Sequence, residues 1–239
     1  MRIQSLPSPF AGCRLWRFAL DQDVPEAWRA ALSPGEQARA ARFVFETDRR
    51  RYVAAHAALR QLLAEATGIA AAALRFSAGA HGKPALEQAQ AQALHFNLSH
   101  SHGIGALALS SQAEIGVDVE ELRDMPDALA LADAHFGPDE VRALRALPAG
   151  LPRDSAFLRC WTRKEACLKA VGVGLGMDTR SFEAGLAPAP RALSLPGGER
   201  LQLVSLAQHD DVLLSVALRC PPDVIQTGEC TSADREVTA

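Results

Sequence analysis

The segment Ile115-Gly116-Val117-Asp118-Val119-Glu120 constrains the fold of this chain more than any other. Apolar Ile115, Val117 and Val119 alternate with Gly116, Asp118 and Glu120, the period of a half-buried β-strand. In a strand, Asp118 and Glu120 point to the same side. Strands are depleted in acidic residues, and two carboxylates held close together repel unless a positive group lies between them. A hard divalent cation such as Mg²⁺ is the simplest such partner, because it takes one or two carboxylates together with phosphate oxygens. The strand therefore predicts a third carboxylate, a phosphate grip and a base elsewhere in the chain.

Composition bounds the possibilities. The 239 residues are 48% hydrophobic and 22% charged, an ordinary globular mix long enough for one large domain or two smaller ones. A formal net charge of −3 argues against a general nucleic-acid binder, so any basic patch is local. The five cysteines have no paired short spacing, which predicts reduced thiols in a cytoplasmic protein. Phe10-Ala11-Gly12-Cys13 faintly resembles a lipoprotein cleavage box, but Pro7 and Pro9 interrupt what would have to be an apolar run. No membrane-spanning stretch is expected.

The element pattern predicts an α+β fold. A strand over 14–20 leads to Ser33-Pro34-Gly35-Glu36, which reads as a capped helix start. A long helix over 47–67 ends at Gly68. A short strand is expected at Leu74-Arg75-Phe76 and a turn at His81-Gly82-Lys83-Pro84. Strands follow over 94–99, 105–110 and 115–120. Helices are expected over 127–136, 138–147 and 154–171, with Gly172, Gly174 and Gly176 marking the exit. Further strands are expected near Ser181-Phe182, over 201–206 and over 212–218. Helices followed by strands, twice over, suggest two similar halves, 1–120 and 121–220, and a poorly ordered tail over 221–239.

Several groups could carry chemistry. On the 154–171 helix, Phe157, Trp161, Leu168 and Val171 recur at helical spacing, while Glu165 and Lys169 lie four apart beside that stripe. They are either an ordinary surface ion pair or the third ligand and a phosphate-binding lysine. In Phe96-Asn97-Leu98-Ser99-His100-Ser101, Ser99 and His100 could bind phosphate or close a turn. A Ser-His-Asp hydrolase would need a nucleophile elbow, and no Gly-x-Ser-x-Gly occurs. Arg39, Arg42, Arg49, Arg50 and Arg51 form a basic cluster, read either as a solvated face or as an anion grip, and Lys83 could add a further charge. The Gly172–Gly176 run follows a helix, the wrong end for a dinucleotide fingerprint.

Taken in order, these segments resemble the 4′-phosphopantetheinyl transferase superfamily, in its longer, monomeric type that primes peptide synthetases. Its signature blocks read roughly Gly-[Val/Ile]-Asp-x-Glu and Trp-x-x-Lys-Glu-[Ala/Ser]-x-x-Lys. Here they are Gly116-Val117-Asp118-Val119-Glu120 and Trp161-Thr162-Arg163-Lys164-Glu165-Ala166-Cys167-Leu168-Lys169. Gly82-Lys83-Pro84 and the Phe96–Ser101 block also match. The resemblance implies two pseudo-symmetric α/β halves with the active site between them. It implies transfer of the phosphopantetheine arm of coenzyme A to a serine of an apo carrier protein of fatty-acid, polyketide or peptide synthesis, releasing 3′,5′-ADP. Asp118, Glu120 and Glu165 would bind Mg²⁺, and Lys169 would contact the pyrophosphate. Ser99, His100, Lys83 and Arg51 would hold the 3′-phosphate and adenine end, helped by Arg39. Some relatives have lysine where this chain has Glu36. Glu165 is the expected base for the carrier serine, and Arg159 or Arg163 could meet an acidic carrier helix. The rival readings are a Mg²⁺-dependent nucleotide pyrophosphate hydrolase and a non-catalytic binding module. The second would require a damaged metal site, and all three carboxylates are present.

Overall fold

A computed structural model describes residues 1–79, 82–87, 94–206 and 211–220. His81 of the expected turn and the 221–239 tail lie outside the described residues. The first half opens with β1 (Ile3–Leu6) and β2 (Cys13–Ala19), then α1 (Glu26–Arg29), α2 (Pro34–Ala40) and α3 (Glu46–Thr67). Ser33 Oγ accepts from the Glu36 amide at 3.3 Å while the Glu36 carboxylate accepts from the Ser33 amide at 2.7 Å, the reciprocal cap expected for α2. The α3 helix stops at Gly68, whose left-handed φ of 73° disfavours any residue with a Cβ. A hairpin of β3 (Phe76–Ala78) and β4 (Pro84–Leu86) precedes β5 (His95–Ser101) and β6 (Ile104–Ser110).

The second half contains β7 (Ile115–Glu121), α4 (Ala128–His135), α5 (Pro138–Arg145), α6 (Leu151–Val171), β8 (Arg191–Ser194), β9 (Arg200–Ser205) and β10 (Val212–Arg219). Two antiparallel four-stranded sheets result, ordered β1-β2-β6-β5 and β7-β10-β9-β8. Each half runs from a strand through helices to an antiparallel pair whose second member inserts beside that strand, β6 beside β2 and β10 beside β7. This repeat is the physical content of the halving seen in the sequence. β7 ladders with β10, Asp118 opposite Ser215, so it opens the second sheet. The division between the sheets therefore falls between Ser110 and Ile115, ahead of the boundary read after Glu120.

The sheets pack on each other, with Leu15, Ala106 and Ala108 against Ile115, Val117, Val119 and Val216. The outer face of the first sheet is covered by α3, through Leu59, Leu62 and Leu63 against Phe18, Leu107 and Leu109. The outer face of the second is covered by α6, through Ala166, Cys167 and Ala170 against Leu201, Leu203 and Ala217. As a result β7 is covered on both sides from Ile115 to Val119, where the alternation had predicted a half-buried strand.

Three expectations shift. Ser181 closes a 3₁₀ turn (Thr179–Ser181) capped by the Asp178 side chain, and Phe182 leaves it to enter the core under α6, so no strand forms there. The last long helix starts at Leu151, because Pro152 falls in its first turn where no amide needs an intrahelical partner. β1, α1 and β8 are four-residue elements, too short to show a period. Among the described residues no helix is long and apolar enough to cross a membrane.

Candidate active site

Gly116 sets the geometry of the site. A Cβ built there would lie 2.1 Å from the Ala166 carbonyl oxygen and 2.4 Å from the Ala170 nitrogen, so β7 and α6 approach backbone to backbone. The next residues on the same face of β7 are Asp118 and Glu120, and the flanking residues on α6 are Glu165 and Lys169. One close approach thus brings both signature blocks together.

Asp118 is buried, at 6% exposure. Its Oδ1 accepts from Lys169 Nζ at 2.5 Å and from Ser99 Oγ at 2.8 Å, whereas the buried Oδ2 has no hydrogen-bond partner. Burial pushes its pKa upward, against the opposing pull of Lys169 and Ser99. Glu120 Oε2 accepts from Ser101 Oγ at 2.5 Å and from Arg123 at 2.8 Å. Burial also raises the Glu165 pKa, and the Asp118 charge adds to the shift while Lys169 opposes it. These three carboxylates and one ammonium form a single electrostatic group. Among the described residues no three His, Cys, Asp or Glu are gathered tightly enough to cage a metal ion. An open carboxylate set with an orphaned buried oxygen suits Mg²⁺, which completes its shell with water and substrate phosphate, better than a metal that needs a closed protein cage.

β5 is stitched to β7 without a backbone ladder. Asn97, Ser99 and Ser101 share one face of β5; Asn97 Oδ1 accepts from the Val117 amide at 2.9 Å, and the two serines serve Asp118 and Glu120. β7 is the edge of its sheet, so its buried outward amide needs an acceptor from another element. The Phe96–Ser101 block is therefore a strand for its whole length, and its Ser99 hydroxyl also accepts from Lys169 at 2.9 Å. His100 points to the other side and is exposed; surrounding protein lowers its pKa first, followed by the charges of Lys169 and His56.

The outer cations do not converge. Lys83 Nζ donates to Glu114 at 2.6 Å and to the Ile115 carbonyl at 3.0 Å, at the start of β7. Burial lowers its pKa, while Glu114, itself held to about 2 chiefly by His95, pulls the other way. Arg51 makes a bidentate pair with Asp21, at 2.7 and 2.8 Å, and lies in Coulombic range of Glu121 at the far end of β7. The strand between those ends is about 20 Å long. Arg39 is exposed, its guanidinium 5.6 Å from the Tyr52 ring centre. Glu36 accepts from His56 Nδ1 at 3.1 Å and from the buried Arg60 at 2.7 Å.

Arg163 does not face a partner. It is 1% exposed and donates to the Ala184 carbonyl at 2.8 Å and to Ser205 Oγ, with burial lowering its pKa to about 10. Arg159 is half-buried and reaches the Leu186 carbonyl. Sequence reasoning also missed Asn97, Ser101 and the pair Lys164–Glu140. Lys164 Nζ lies 2.8 Å from Glu140 with both side chains 2% exposed, and it donates to the Thr179 and Phe182 carbonyls. The available signals were the one-face spacing of residues 97, 99 and 101, and the position of Arg163 four residues before the buried Cys167.

The fold and this site define a phosphopantetheine-transferring enzyme. Residues 114–217 match the model of the 4′-phosphopantetheinyl transferase superfamily, and residues 20–112 match that of the 4′-phosphopantetheinyl transferase N-terminal region. The chain belongs to the 4′-phosphopantetheinyl transferase superfamily. It is similar to the 4′-phosphopantetheinyl transferase HetI of Nostoc, 37% identical over 85% of this chain and 86% of that protein. The 4′-phosphopantetheinyl transferase psf-1 of Bacillus pumilus is 33% identical over 73% and 72%. A phosphopantetheinyl transferase of Thraustochytrium is 30% identical over 85% and 77%.

Proposed function

We propose that this enzyme moves the 4′-phosphopantetheine group of coenzyme A to a serine of an apo acyl or peptidyl carrier protein, with Mg²⁺ held by Asp118, Glu120 and Glu165. The observation that carries this reading is the buried Asp118 carboxylate, whose Oδ2 is unpartnered while Glu120 and Glu165 lie within Coulombic range of it. When bound, the ion supplies positive charge where a pyrophosphate is cleaved. Lys169 is placed to leave Asp118 for the leaving phosphate, adding charge stabilisation there. Glu165, with its pKa raised, takes the proton of the attacking serine directly or through water. Ser99 keeps Asp118 oriented, and His100 and Arg39 serve the nucleotide end; Lys83 and Arg51, held by Glu114 and Asp21 at opposite ends of β7, do not share that role. The carrier meets the exposed side of this junction. The chain works in the cytoplasm as a monomer.

The test is the intact mass of apo carriers from fatty-acid, polyketide and peptide pathways after incubation with the protein, coenzyme A and Mg²⁺. A gain of one phosphopantetheine group on at least one carrier is expected. No gain on any carrier would sink the proposal, and free phosphopantetheine released without a carrier would favour the pyrophosphate hydrolase. Near-wild-type turnover of Glu165→Gln at saturating Mg²⁺ would remove Glu165 as base.

A further inference from the structure

β5 meets β7 along a row of side-chain bonds. Asn97 accepts from the Val117 amide at 2.9 Å, Ser99 donates to Asp118 at 2.8 Å and Ser101 donates to Glu120 at 2.5 Å. Just past the strand, the Gly103 amide donates to Glu121 at 3.0 Å and pins the hairpin turn. Alternate residues of a strand share one face, so a single register sets the three side-chain bonds together. Ser101 is the member of this row whose bond the proposed chemistry leaves unused.

The two carboxylates of β7 are held in the same way. Asp118 Oδ1 accepts from a β5 serine and from a cation, Ser99 and Lys169, while its Oδ2 has no partner. Glu120 Oε2 accepts from Ser101 and from Arg123, at 2.5 and 2.8 Å, and among the described residues no hydrogen bond reaches its Oε1. In each group one oxygen takes both neighbours and the other is left over. A carboxylate held by one oxygen offers the second to a hard cation in a fixed orientation. A carboxylate can only accept, so the Ser101 hydroxyl proton is committed to Glu120. The 3.1 Å contact with His102 then runs from Nδ1–H to Ser101 Oγ, which a neutral imidazole satisfies. Ser99 likewise donates to Asp118 and accepts from Lys169 at 2.9 Å.

The two neighbours of Glu120 are not equal anchors. Arg123 stands on the chain leaving β7, is 38% exposed and is otherwise tied to the Glu121 carbonyl at 3.1 Å. Ser101 is fixed in the β5–β6 ladder opposite Ile104. A guanidinium also repels an incoming cation, whereas a hydroxyl does not.

We propose that Ser101 is a positioning residue for the divalent cation: by holding Glu120 Oε2 it keeps Oε1 available to the ion, and so sets the affinity for Mg²⁺. This rests on Asp118 and Glu120 binding the ion. Affinity follows the Ser101 hydroxyl and not the Arg123 ion pair.

Mn²⁺, a paramagnetic stand-in for Mg²⁺, is titrated into the full chain with coenzyme A and no carrier, and free Mn²⁺ is read by electron paramagnetic resonance. Wild type is expected to bind, and Ser101→Ala to bind roughly ten- to a hundredfold more weakly, the usual loss when the partner behind a metal ligand is removed. Ser101→Thr keeps the hydroxyl, suits a strand and should restore most of the affinity. Ser101→Cys keeps the size but is a weak donor, so it should resemble Ser101→Ala and guards against a packing artefact. Arg123→Gln should bind as tightly as wild type or more so. In carrier modification by Ser101→Ala, the Mg²⁺ concentration for half-maximal rate should rise by the same factor, with the rate at saturating Mg²⁺ changed far less. Wild-type Mn²⁺ affinity in both Ser101→Ala and Ser101→Cys overturns the inference alone. So does a loss in Ser101→Thr or Arg123→Gln as large as that in Ser101→Ala. Wild type binding no Mn²⁺ would overturn the metal reading as well, a result distinct from these.

Discussion

Gly116→Ala tests whether strand and helix really are held together at Gly116. The added Cβ would lie 2.1 Å from the Ala166 carbonyl oxygen, about 1.3 Å inside the 3.4 Å at which ordinary contact begins. The Ala170 nitrogen at 2.4 Å and the Lys169 carbonyl carbon at 2.9 Å block a sideways escape. All three are helix backbone, so no rotamer change relieves the clash; α6 or β7 must move by roughly an ångström. Overpacking of this kind costs about 1–3 kcal/mol, and a rigid backbone contact belongs at the upper end. The same shift carries Glu165 and Lys169 away from Asp118 and Glu120, and a 1 Å misplacement in an active site can cost on the order of a hundredfold in rate. Urea denaturation and initial rates of phosphopantetheine transfer are the assays. Gly35→Ala is the control: its Cβ would meet nothing closer than 4.0 Å, and stability should hold or rise by about 0.5 kcal/mol. Gly116→Ala with wild-type stability and rate would refute the close approach and the account of why this block begins with glycine.

Two further perturbations follow from buried charge. Lys164→Met leaves the Glu140 carboxylate uncompensated at 2% exposure and frees the Thr179 and Phe182 carbonyls, so denaturation should show a loss of about 3–5 kcal/mol. Glu36 makes stability acid-sensitive: its folded-state pKa of about 2 lies below the ordinary 4.5, so its contribution of about 3 kcal/mol is present above pH 5 and lost as pH falls toward 2. In Glu36→Gln the thermal midpoint should depend less steeply on pH across that interval.

How much was legible in the sequence followed the strength of each local signal. α2, with its reciprocal Ser33–Glu36 cap, and α3, with its glycine stop, were readable because capping chemistry is local. The pairing of Asp118 with Glu120 followed from the two-residue period of a strand. What stayed hidden depended on contacts between distant segments. Nothing near Asn97 announces that it will satisfy an edge-strand amide twenty positions away. Arg163 looked like a surface cation because arginine usually is one, yet carbonyls from the 184–189 loop provide a buried socket. Likewise Lys83 and Arg51, adjacent in a list of cations, stand at opposite ends of β7 because Glu114 and Asp21 hold them there. Gly116 is the instructive case: strand alternation assigned it to a polar face, whereas packing makes it the hinge point of the site.

The most direct test of the central claim is the initial rate of holo-carrier formation against Mg²⁺ concentration, for wild type and Asp118→Asn. The account predicts no transfer by wild type after chelation, a saturable return with added Mg²⁺, and a loss of at least about a hundredfold in Asp118→Asn that excess Mg²⁺ does not restore. Full-rate transfer by the chelated wild type, or wild-type behaviour of Asp118→Asn, would contradict it.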